Sequence, residues 1–370
     1  MTARKNISNL LEYADIRLDG GRPWDIRVHN DELFNAVVHK GTLGAGEAYM
    51  DGWWDCDALD EMFCKAIQAH LEQRFSHNLS AAALKIYNTL FNLQSRKRAW
   101  QVAETHYNFD NAMFECMLGP TMNYSCGYWA AADNLDEAQE AKMDLIARKL
   151  HLEPGMKVLD IGCGWGSLAR WRAQNYEPNV AAITVSREQF AWATERDREG
   201  RVNWILEDYR NLEGRFDRIV SVGMFEHVGC RNYREFMEIT RRLLESDGLF
   251  LLHTIGSNYQ KAGTDPWINK YIFPNGMIPS EENVTRAFGK LYVMEDWQNF
   301  GAYYDKTLMA WEKRFENGYR AGAFKTTERA RRMFRYYLLS CAGAFRARDL
   351  QLWQLVLSPR GVPGGYISVR

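Results

Sequence analysis

The feature that most constrains the fold is an alternation of apolar runs and amphipathic runs that begins at residue 157. The apolar runs have the length and composition of buried strands, and helical patterns follow the first, second and fourth of them. This alternation is typical of a parallel sheet with helices on both faces, so it predicts an α/β fold. The tail at 349–359 predicts a closing antiparallel strand. The five apolar runs begin at Lys157, Asn179, Val202, Phe216 and Gly248.

Residues 1–90 lack this alternation of apolar and amphipathic runs, and their pattern predicts a small α+β domain ahead of the sheet. We expect short strands and a Gly-rich turn, followed by a helix from Ala58 to Gln68. Residues 79–98 have apolar residues at helical spacing and a basic end. They form either a helix docked on its own protein or a helix on an anionic membrane surface. We expect residues 91–110 to link this domain to a catalytic domain over 111–370.

Charge and cysteine usage narrow the possible functions. A formal net charge of −1, with 25% charged residues, gives no general attraction to nucleic acid. No run approaches the roughly 18 apolar residues of a membrane span, and the N-terminus has no secretory signal pattern. The seven cysteines include no CxxC pair, which favours reduced thiols in a cytoplasmic protein. We therefore expect any contact with the inner face of the cell membrane to be peripheral.

A glycine-rich turn after the first strand indicates a cofactor site. The stretch LDIGCGWG places Asp160 before Gly162, Gly164 and Gly166, at the end of a strand where open sheets bind ligands. A dinucleotide fingerprint needs G-x-G-x-x-G, and here the third glycine comes one residue early. Asp160 would also repel a diphosphate, whereas it would attract an amine and a sulfonium. The turn therefore predicts S-adenosylmethionine as the cofactor.

Polar residues at the ends of the next two strands are candidates for the ribose and adenine contacts. Thr184, Ser186 and Gln189 follow the second strand. Related folds often have a carboxylate there, which this chain lacks, so Gln189 or Glu188 is expected to bind the ribose. Asp208 ends the third strand and is placed to accept a hydrogen bond from an adenine amine. A surface carboxylate explains Asp208 equally well.

A second polar group is expected at the same edge of the sheet. Glu226 ends the fourth strand, and His253 and Ile255 lie two residues apart in the fifth, so their side chains share a face. Taken singly, such residues have structural explanations: a core histidine, a packed tyrosine or an inert thiol. A metal is disfavoured because short ligand spacing is lacking. The other members are Tyr303, Tyr304, Tyr124, Ser125 and Cys126.

Five stretches, YSCGYW, LDIGCGWG, MFEHVG, LHTIG and YYDKTLMAW, resemble the cyclopropane-fatty-acid synthases in order and spacing. The resemblance covers nearly the whole chain and includes the N-terminal module of the phospholipid-modifying type. It implies a class I S-adenosylmethionine-dependent methyltransferase fold with a seven-stranded, mostly parallel sheet. It also implies transfer of a methylene from S-adenosylmethionine to a cis double bond of an unsaturated acyl chain in a membrane phospholipid.

The same resemblance assigns roles to individual residues. It implies a bound bicarbonate that removes a proton, held by Cys126, Glu226, His253, the backbone of Ile255, and Tyr304. We expect Glu226 to accept the hydrogen bond from the O–H of this ion, although Glu226 itself could be the base. The resemblance implies cofactor contacts by Tyr124, Ser125, Gly162, Gly164, Gln189 and Asp208.

Three other functions stay open from the sequence. A related methyltransferase could leave a methyl or methylene branch on the lipid instead of a ring. Plant amine N-methyltransferases also resemble this family, so a soluble amine is an alternative substrate. A lipid-binding protein with an inactive catalytic fold is the third alternative, against which the intact Gly162, Gly164, Glu226 and His253 argue. A homodimer is among the expected assemblies.

Overall fold

The chain divides into two compact units in a computed structural model, which describes residues 3–75, 111–260 and 263–370. The first unit comprises the described parts of Met1–Phe91, Ala262–Pro274 and Tyr304–Leu350. The second unit comprises the described parts of Asn92–Lys261, Asn275–Tyr303 and Gln351–Arg370. This division differs from the expected linear one, because two segments beyond residue 111 belong to the first unit. The expected linker at 91–110 and the amphipathic segment at 79–98 lie outside the described residues.

The first unit is mainly helical. Its one pair of described strands is antiparallel and joins β1 (Arg27–Val28) to β2 (Trp54–Asp55). The predicted helix over Ala58–Gln68 is confirmed as Leu59–Gln68. The other helices are Ala3–Glu12, Glu32–Lys40, Thr42–Met50, Leu71–Phe75, Pro266–Tyr271, most of Ala302–Arg320, and Glu328–Arg346.

The prediction of strands and a Gly-rich turn ahead of this helix is largely wrong. Most of that segment forms the helices Glu32–Lys40 and Thr42–Met50, which meet at Gly41. Gly41 has a φ of +57°, which glycine adopts without steric cost, so the turn is a single residue. Gly46 lies inside the second helix, where a Cβ would come within 2.3 Å of the Trp267 ring. The glycine richness therefore reflects close packing of a helix.

A tight helix contact brings the segment after residue 304 into the first unit. Gly343, in the helix Glu328–Arg346, lies so close to the helix Leu59–Gln68 that an added Cβ would be 2.6 Å from Asp60 O. Arg346 of the same helix forms ion pairs with Asp60 at 2.6 Å and with Asp305 at 3.0 Å. The N-terminal helices therefore depend on C-terminal sequence for their packing.

The second unit contains the predicted seven-stranded sheet. Its strand order is β5-β4-β3-β6-β7-β9-β8, and the five strands from β3 to β7 are parallel. Strand β9 lies antiparallel between β7 and β8, which confirms the predicted closing strand. The strands are β3 (Lys157–Ile161), β4 (Asn179–Thr184), β5 (Val202–Leu206), β6 (Phe216–Val222), β7 (Leu244–Gly256), β8 (Val293–Asn299) and β9 (Gln351–Ser358).

Two buried clusters cover the two faces of this sheet. Leu159 and Ile161 of β3 belong to one cluster, and Val158 belongs to the other, as the alternation of side chains along a strand requires. Because both faces are covered, the carboxyl ends of the parallel strands are left to form a site. The helices of this unit are Asn111–Leu118, Leu135–Lys149, Ser167–Asn175, Arg187–Arg196, Tyr233–Leu243 and Glu281–Phe288.

In the part of the chain that the structure describes, no helix is both long enough and apolar enough to cross a membrane.

Candidate active site

The glycine-rich turn after β3 has the geometry of a ligand cradle. Gly162, Gly164 and Gly166 all have positive φ, between +57° and +82°. A Cβ would lie 2.6 Å from the Met224 side chain at Gly162 and 2.3 Å from the Trp204 ring at Gly166. At Gly164 it would meet nothing within 4 Å. Two of the glycines are therefore needed for packing, and the third borders open space that a ligand can approach.

An aromatic cluster lies beside this turn. Phe114 packs against Tyr124 with ring centroids 5.7 Å apart and against Trp165 at 5.0 Å. Trp165 belongs to the turn itself, between Gly164 and Gly166. The predicted cofactor residue Tyr124 is thus brought to the turn by aromatic packing, and its contact with the cofactor stays a prediction.

Asp160, at the end of β3, forms a buried ion pair with Arg172. Asp160 Oδ2 lies 3.0 Å from Arg172 Nη2, and both side chains are almost fully excluded from solvent. Burial raises the pKa of Asp160, against the opposing charges of Arg172 and Lys142. The carboxylate is therefore engaged within the protein, and its contact with the amine of a cofactor stays a prediction.

The helix Leu135–Lys149 holds the segment around Cys126. Lys142 Nζ donates to Ser125 Oγ at 3.0 Å, and Gln139 Nε2 donates to the Ser125 carbonyl at 2.8 Å. Cys126 is fully buried, and its thiol donates to the Gly127 carbonyl at 3.2 Å. Ser125 and Cys126 are therefore fixed by buried polar groups of the neighbouring helix.

Lys142 was missed by the sequence analysis. Its side chain is completely buried, and burial lowers its pKa to about 7. No carboxylate of the described residues lies within ion-pair distance of it. Its stretch of sequence, EAQEAKMD, is rich in charged residues, so no local signal marked Lys142 as buried.

A compact hydrogen-bond network closes the end of β4. The Thr184 hydroxyl donates to Gln189 Oε1 at 3.1 Å, and the Ser186 hydroxyl accepts from the Gln189 N–H at 3.2 Å. Ser186 thereby caps the helix Arg187–Arg196. Because Oε1 is occupied, the amide nitrogen of Gln189 is the group that remains to donate to a ribose.

Asp208 lies at the end of β5 as predicted, but its carboxylate is already engaged. It accepts from the Arg210 N–H at 3.0 Å and from Arg210 Nη1 at 2.8 Å. Both side chains are only 5% exposed. The adenine contact expected of Asp208 stays a prediction, and such a contact would have to share this carboxylate with Arg210.

Glu226 and strand β7 come together as the sequence predicts. The Ile255 N–H donates to Glu226 Oε1 at 2.7 Å. The other oxygen, Oε2, is buried and has no hydrogen-bond partner among the described residues. Burial raises the pKa of Glu226 to about 7, against the stabilising hydrogen bond from the Ile255 N–H and the influence of the nearby Thr254 hydroxyl, which donates to the Ile255 carbonyl. The backbone N–H of Ile255 thus holds Glu226 in this structure, and its predicted contact with the anion stays a prediction.

His253 is the second group with an unpartnered buried atom. It is 1% exposed, and its Nε2 has no hydrogen-bond partner within the described ranges. Its Nδ1 lies 3.2 Å from Nε2 of Gln354 in β9. Burial holds the pKa of His253 well below its ordinary value, and the charges of Lys142 and Lys149 lower it further. His253 is therefore neutral, with a single ring proton.

A layer of aromatic rings packs beside His253. The Phe300 ring lies 5.8 Å from the His253 ring, and Tyr128 packs edge-on against Phe300 and Tyr303 at 5.5 and 5.6 Å. These rings exclude water from one side of the histidine. They also supply aromatic faces, each of which stabilises a nearby cation by about 0.5–2 kcal/mol.

Tyr304 belongs to the first unit, unlike the other candidates. It lies in the first turn of the helix Ala302–Arg320, and its ring packs against Trp311 and Phe345 with centroids 6.0 and 4.5 Å apart. Its predicted participation with Cys126, Glu226 and His253 stays a prediction.

The arrangement in the second unit suits polar chemistry in a dry environment. An acceptor oxygen on Glu226 and a ring nitrogen on His253 are buried without partners, and such atoms cost free energy unless something binds them. A small polar group that both donates and accepts would satisfy both atoms if it lies within hydrogen-bond distance of each. Gly164 of the glycine turn borders open space, and the cofactor contacts expected of Gln189 and Tyr124 stay predictions.

A protein-family comparison and a search of characterised proteins agree on the kind of protein. The family described as mycolic acid cyclopropane synthetase matches residues 94–355. A cyclopropane-fatty-acyl-phospholipid synthase of Escherichia coli K12 is 52% identical over 358 residues, which cover 97% of this chain and 94% of that protein. A probable fatty acid methyltransferase of Pseudomonas putida is 31% identical, over 90% of this chain and 86% of that protein.

Solved structures give the same picture. The cyclopropane synthase MmaA2 of Mycobacterium tuberculosis is 30% identical with a TM-score of 0.65, over 70% of this chain and 97% of that one. The mycolic acid cyclopropane synthase CmaA1, solved with SAH and CTAB, is 32% identical with a TM-score of 0.64 over the same shares. Coclaurine N-methyltransferase, at 22% identity and a TM-score of 0.69, shares the fold.

Proposed function

This chain belongs to the cyclopropane synthase family and is an S-adenosylmethionine-dependent methyltransferase of unsaturated phospholipid acyl chains; we propose that it uses a bound hydrogencarbonate as its base. The observation that carries the proposal is the pair of unpartnered buried atoms, Glu226 Oε2 and His253 Nε2. One of these atoms accepts a hydrogen bond and the other can donate one. Hydrogencarbonate has one O–H and several acceptor oxygens, so it satisfies both. Bound there, it would take the proton that the transferred methyl group loses before the ring closes.

Glu226 fits the role of the acceptor. Its Oε1 is fixed by the Ile255 N–H at 2.7 Å, which leaves Oε2 for an O–H donor. Two anions would repel each other if neither carried a proton between them, and the O–H of hydrogencarbonate removes that clash. With a pKa of about 7, the ionised form of Glu226 is available near neutral pH. Glu226 therefore orients the base through an accepted hydrogen bond.

His253 fits the role of a donor to the remaining negative charge. The ring is neutral because it is buried, so it carries one N–H. Cys126, Tyr304 and the backbone of Ile255 complete the site in this proposal, and the Cys126 S–H would have to turn from the Gly127 carbonyl to reach the ion. Neutral donors suit the site, since they stabilise an anion without adding a buried charge that would itself need a partner.

The aromatic layer of Phe300, Tyr128 and Tyr303 would protect a cationic form of the acyl chain from water. An alkene that accepts a methyl group becomes a carbocation, which water would trap. Phe300 packs against His253, and Tyr128 packs against Phe300 and Tyr303, so these rings would keep water from that side of the site. We therefore propose that the double bond reaches its reacting position beside these rings.

The cofactor would be held at the ends of β3 and β4. Gly164 borders open space, Gln189 keeps an amide nitrogen to donate, and Tyr124 offers an aromatic face. Ser125 is fixed by Lys142 and Gln139 and would contact the methionyl end. Positioning a sulfonium at near-attack distance from a weak nucleophile can supply about 7–11 kcal/mol in ideal cases.

The activity itself is tested with the full chain, S-adenosylmethionine and vesicles of unsaturated phospholipid. Mass spectrometry should find a gain of one CH₂ in the lipid together with loss of the alkene. A methyl branch with the alkene retained, or methylation of an amine instead of the lipid, would contradict cyclopropanation. Binding of S-adenosylmethionine without any product would indicate an inactive catalytic fold.

We also propose that the chain works at the cytoplasmic surface of the membrane, through peripheral contact. The substrate acyl chains reside in a bilayer, and the sequence at 79–98 combines apolar residues at helical spacing with a basic end. Basic residues near an anionic surface contribute about 1 kcal/mol each. This contact would bring the enzyme to its substrate without a membrane span.

Replacing Arg96, Lys97 and Arg98 together by alanine tests this contact. We expect affinity for anionic vesicles to fall about 100-fold, because three charges are lost, while affinity for S-adenosylmethionine is unchanged. Vesicle co-sedimentation and calorimetry measure the two quantities. A control that removes the same charge from exposed positions is Arg198→Ala, Arg201→Ala and Lys325→Ala. Equal losses in both triple variants would mean that the basic end has no special role.

A further inference from the structure

Strand β9 places a buried amide directly opposite His253. His253 and Gln354 are register partners in the antiparallel pair of β7 and β9, and both are buried. Gln354 Nε2 lies 3.2 Å from His253 Nδ1. We propose that Gln354 is a positioning residue that keeps the ring proton of His253 on Nε2. This inference rests on the proposed hydrogencarbonate site, since it explains how His253 comes to donate there.

His253 carries only one ring proton. The ring is 1% exposed, and no carboxylate of the described residues forms an ion pair with it. The ionisable groups that influence it, Lys142 and Lys149, oppose a second proton whenever they carry their positive charge. A neutral imidazole has one donor nitrogen and one acceptor nitrogen. The partner of one nitrogen therefore decides what the other can do.

The partner of His253 Nδ1 is the side-chain amide of Gln354. In the structure the amide nitrogen of Gln354, and not its oxygen, faces His253 Nδ1. Because an amide nitrogen donates hydrogen bonds and does not accept them, this orientation makes Nδ1 the acceptor and places the proton on Nε2. Nε2 is the atom that has no protein partner among the described residues. The single N–H of the ring is thus directed toward the place where an anion needs a donor.

Gln354 lies in a rigid part of the sheet. Its strand lies between two others: Gln354 is paired with His253 on β7 and with Gln298 on β8. A residue in a central strand has its backbone fixed on both sides, which fixes the direction of its Cα–Cβ bond. Gln354 is also completely buried, so its neighbours restrict the rotation of the amide. An exposed glutamine would lose this directional effect, because it would rotate and exchange its partner for water.

Gln354 therefore decides which ring nitrogen of His253 carries the proton. Without Gln354, both tautomers of His253 are populated, and the form with the proton on Nδ1 presents a lone pair to the anion. That form repels the base instead of holding it. Residues that orient a functional histidine commonly change activity about 10- to 100-fold when they are replaced. We expect a loss of about tenfold in turnover, with affinity for S-adenosylmethionine unchanged.

Nitrogen-15 NMR of the full chain with labelled histidine reads the tautomer directly. The His253 signals are assigned by their loss in His253→Asn. In the native protein we expect the proton on Nε2, and in Gln354→Leu we expect a mixture of tautomers. Gln351→Leu, on the same strand, is the matched control and should leave the tautomer and the rate unchanged. A thermal unfolding curve for each variant establishes that it is folded.

Gln354→Glu keeps the test decisive if the leucine variant does not fold. A carboxylate accepts a hydrogen bond, so it should draw a proton to Nδ1 and change the nitrogen shifts in a defined direction. A native protein with its proton on Nδ1, a tautomer unchanged in Gln354→Leu, or an unchanged rate would overturn the proposal. If the tautomer behaves as expected but turnover needs no hydrogencarbonate, the proposed base is wrong and the role of Gln354 in setting the tautomer stands.

Discussion

Glu226→Gln should lower turnover about 1,000-fold and leave the affinity for S-adenosylmethionine within about twofold, because a positioned base contributes about 10²–10⁴ in rate. The substitution exchanges an acceptor for a donor at the oxygen that has no protein partner. An amide nitrogen there would face the O–H of the base, so the ion would be lost or turned. The Ile255 N–H can still bind the remaining amide oxygen, so the local fold is preserved.

Rates on phospholipid vesicles and calorimetric binding of S-adenosylmethionine measure the two effects separately. Glu238→Gln is the matched control, since Glu238 is exposed and pairs with Arg234 on a surface helix. It should retain the native rate. A Glu226→Gln enzyme with native turnover would remove Glu226 from the chemistry. A loss of cofactor affinity equal to the loss of rate would mean that Glu226 supports the cofactor site instead.

Arg172→Met should lower the free energy of unfolding by about 3–5 kcal/mol, because it leaves the charge of Asp160 buried without a partner. The pair is 3.0 Å apart, and both side chains are at most 2% exposed. Burial raises the pKa of Asp160 and lowers the pKa of Arg172, so the surroundings disfavour both charges. Each group is tolerated mainly because the other is present.

The double variant Asp160→Leu with Arg172→Met is the informative control. Replacing both members of a buried pair by apolar groups is often neutral or stabilising, so the double variant should recover most of the lost free energy. Urea unfolding curves of the native chain, both single variants and the double variant measure the coupling. A loss of less than about 1 kcal/mol for Arg172→Met would show that water or local relaxation already compensates the buried charge.

The sequence predicted the elements whose pattern is set by local physics. Strands β3, β4, β6 and β7 lie inside the sheet and carry apolar runs because both faces are covered, so they could be predicted in order. Strand β5 lies at an edge but keeps Val202, Trp204, Ile205 and Leu206, so it could be predicted as well. The glycine turn could be predicted because three positive φ angles demand glycine. Glu226 was visible as a carboxylate at the end of an apolar strand, where burial is costly without a partner.

Other elements depend on neighbours that are distant in the chain. Strand β8 lies at the edge of the sheet, where Val293 and Met294 are about half exposed and acidic residues follow, so it lacks the apolar pattern of a buried strand. The glycines of Thr42–Met50 looked like a turn, but one of them makes room for Trp267, more than 200 residues away in the chain. Such long-range packing leaves no local signal.

Some residues of the candidate site could not be predicted either, because their roles depend on contacts that are distant in the chain. Gln354 becomes meaningful only through its register with His253, and Lys142 only through its contact with Ser125. Each is an ordinary polar residue in its own stretch of sequence. Register between β7 and β9 is a property of the folded sheet, so these two positioning residues could not be predicted from periodicity or from a motif.

Turnover in buffer depleted of carbon dioxide and hydrogencarbonate tests the central claim most directly. Product is measured as phospholipid that has gained one CH₂ and lost its alkene, before and after hydrogencarbonate is restored. We predict that depletion slows the native enzyme strongly, that restoration returns the full rate, and that Glu226→Gln does not respond. A native enzyme that keeps its full rate after depletion would contradict a bound ion as the base and would assign proton removal to a protein side chain.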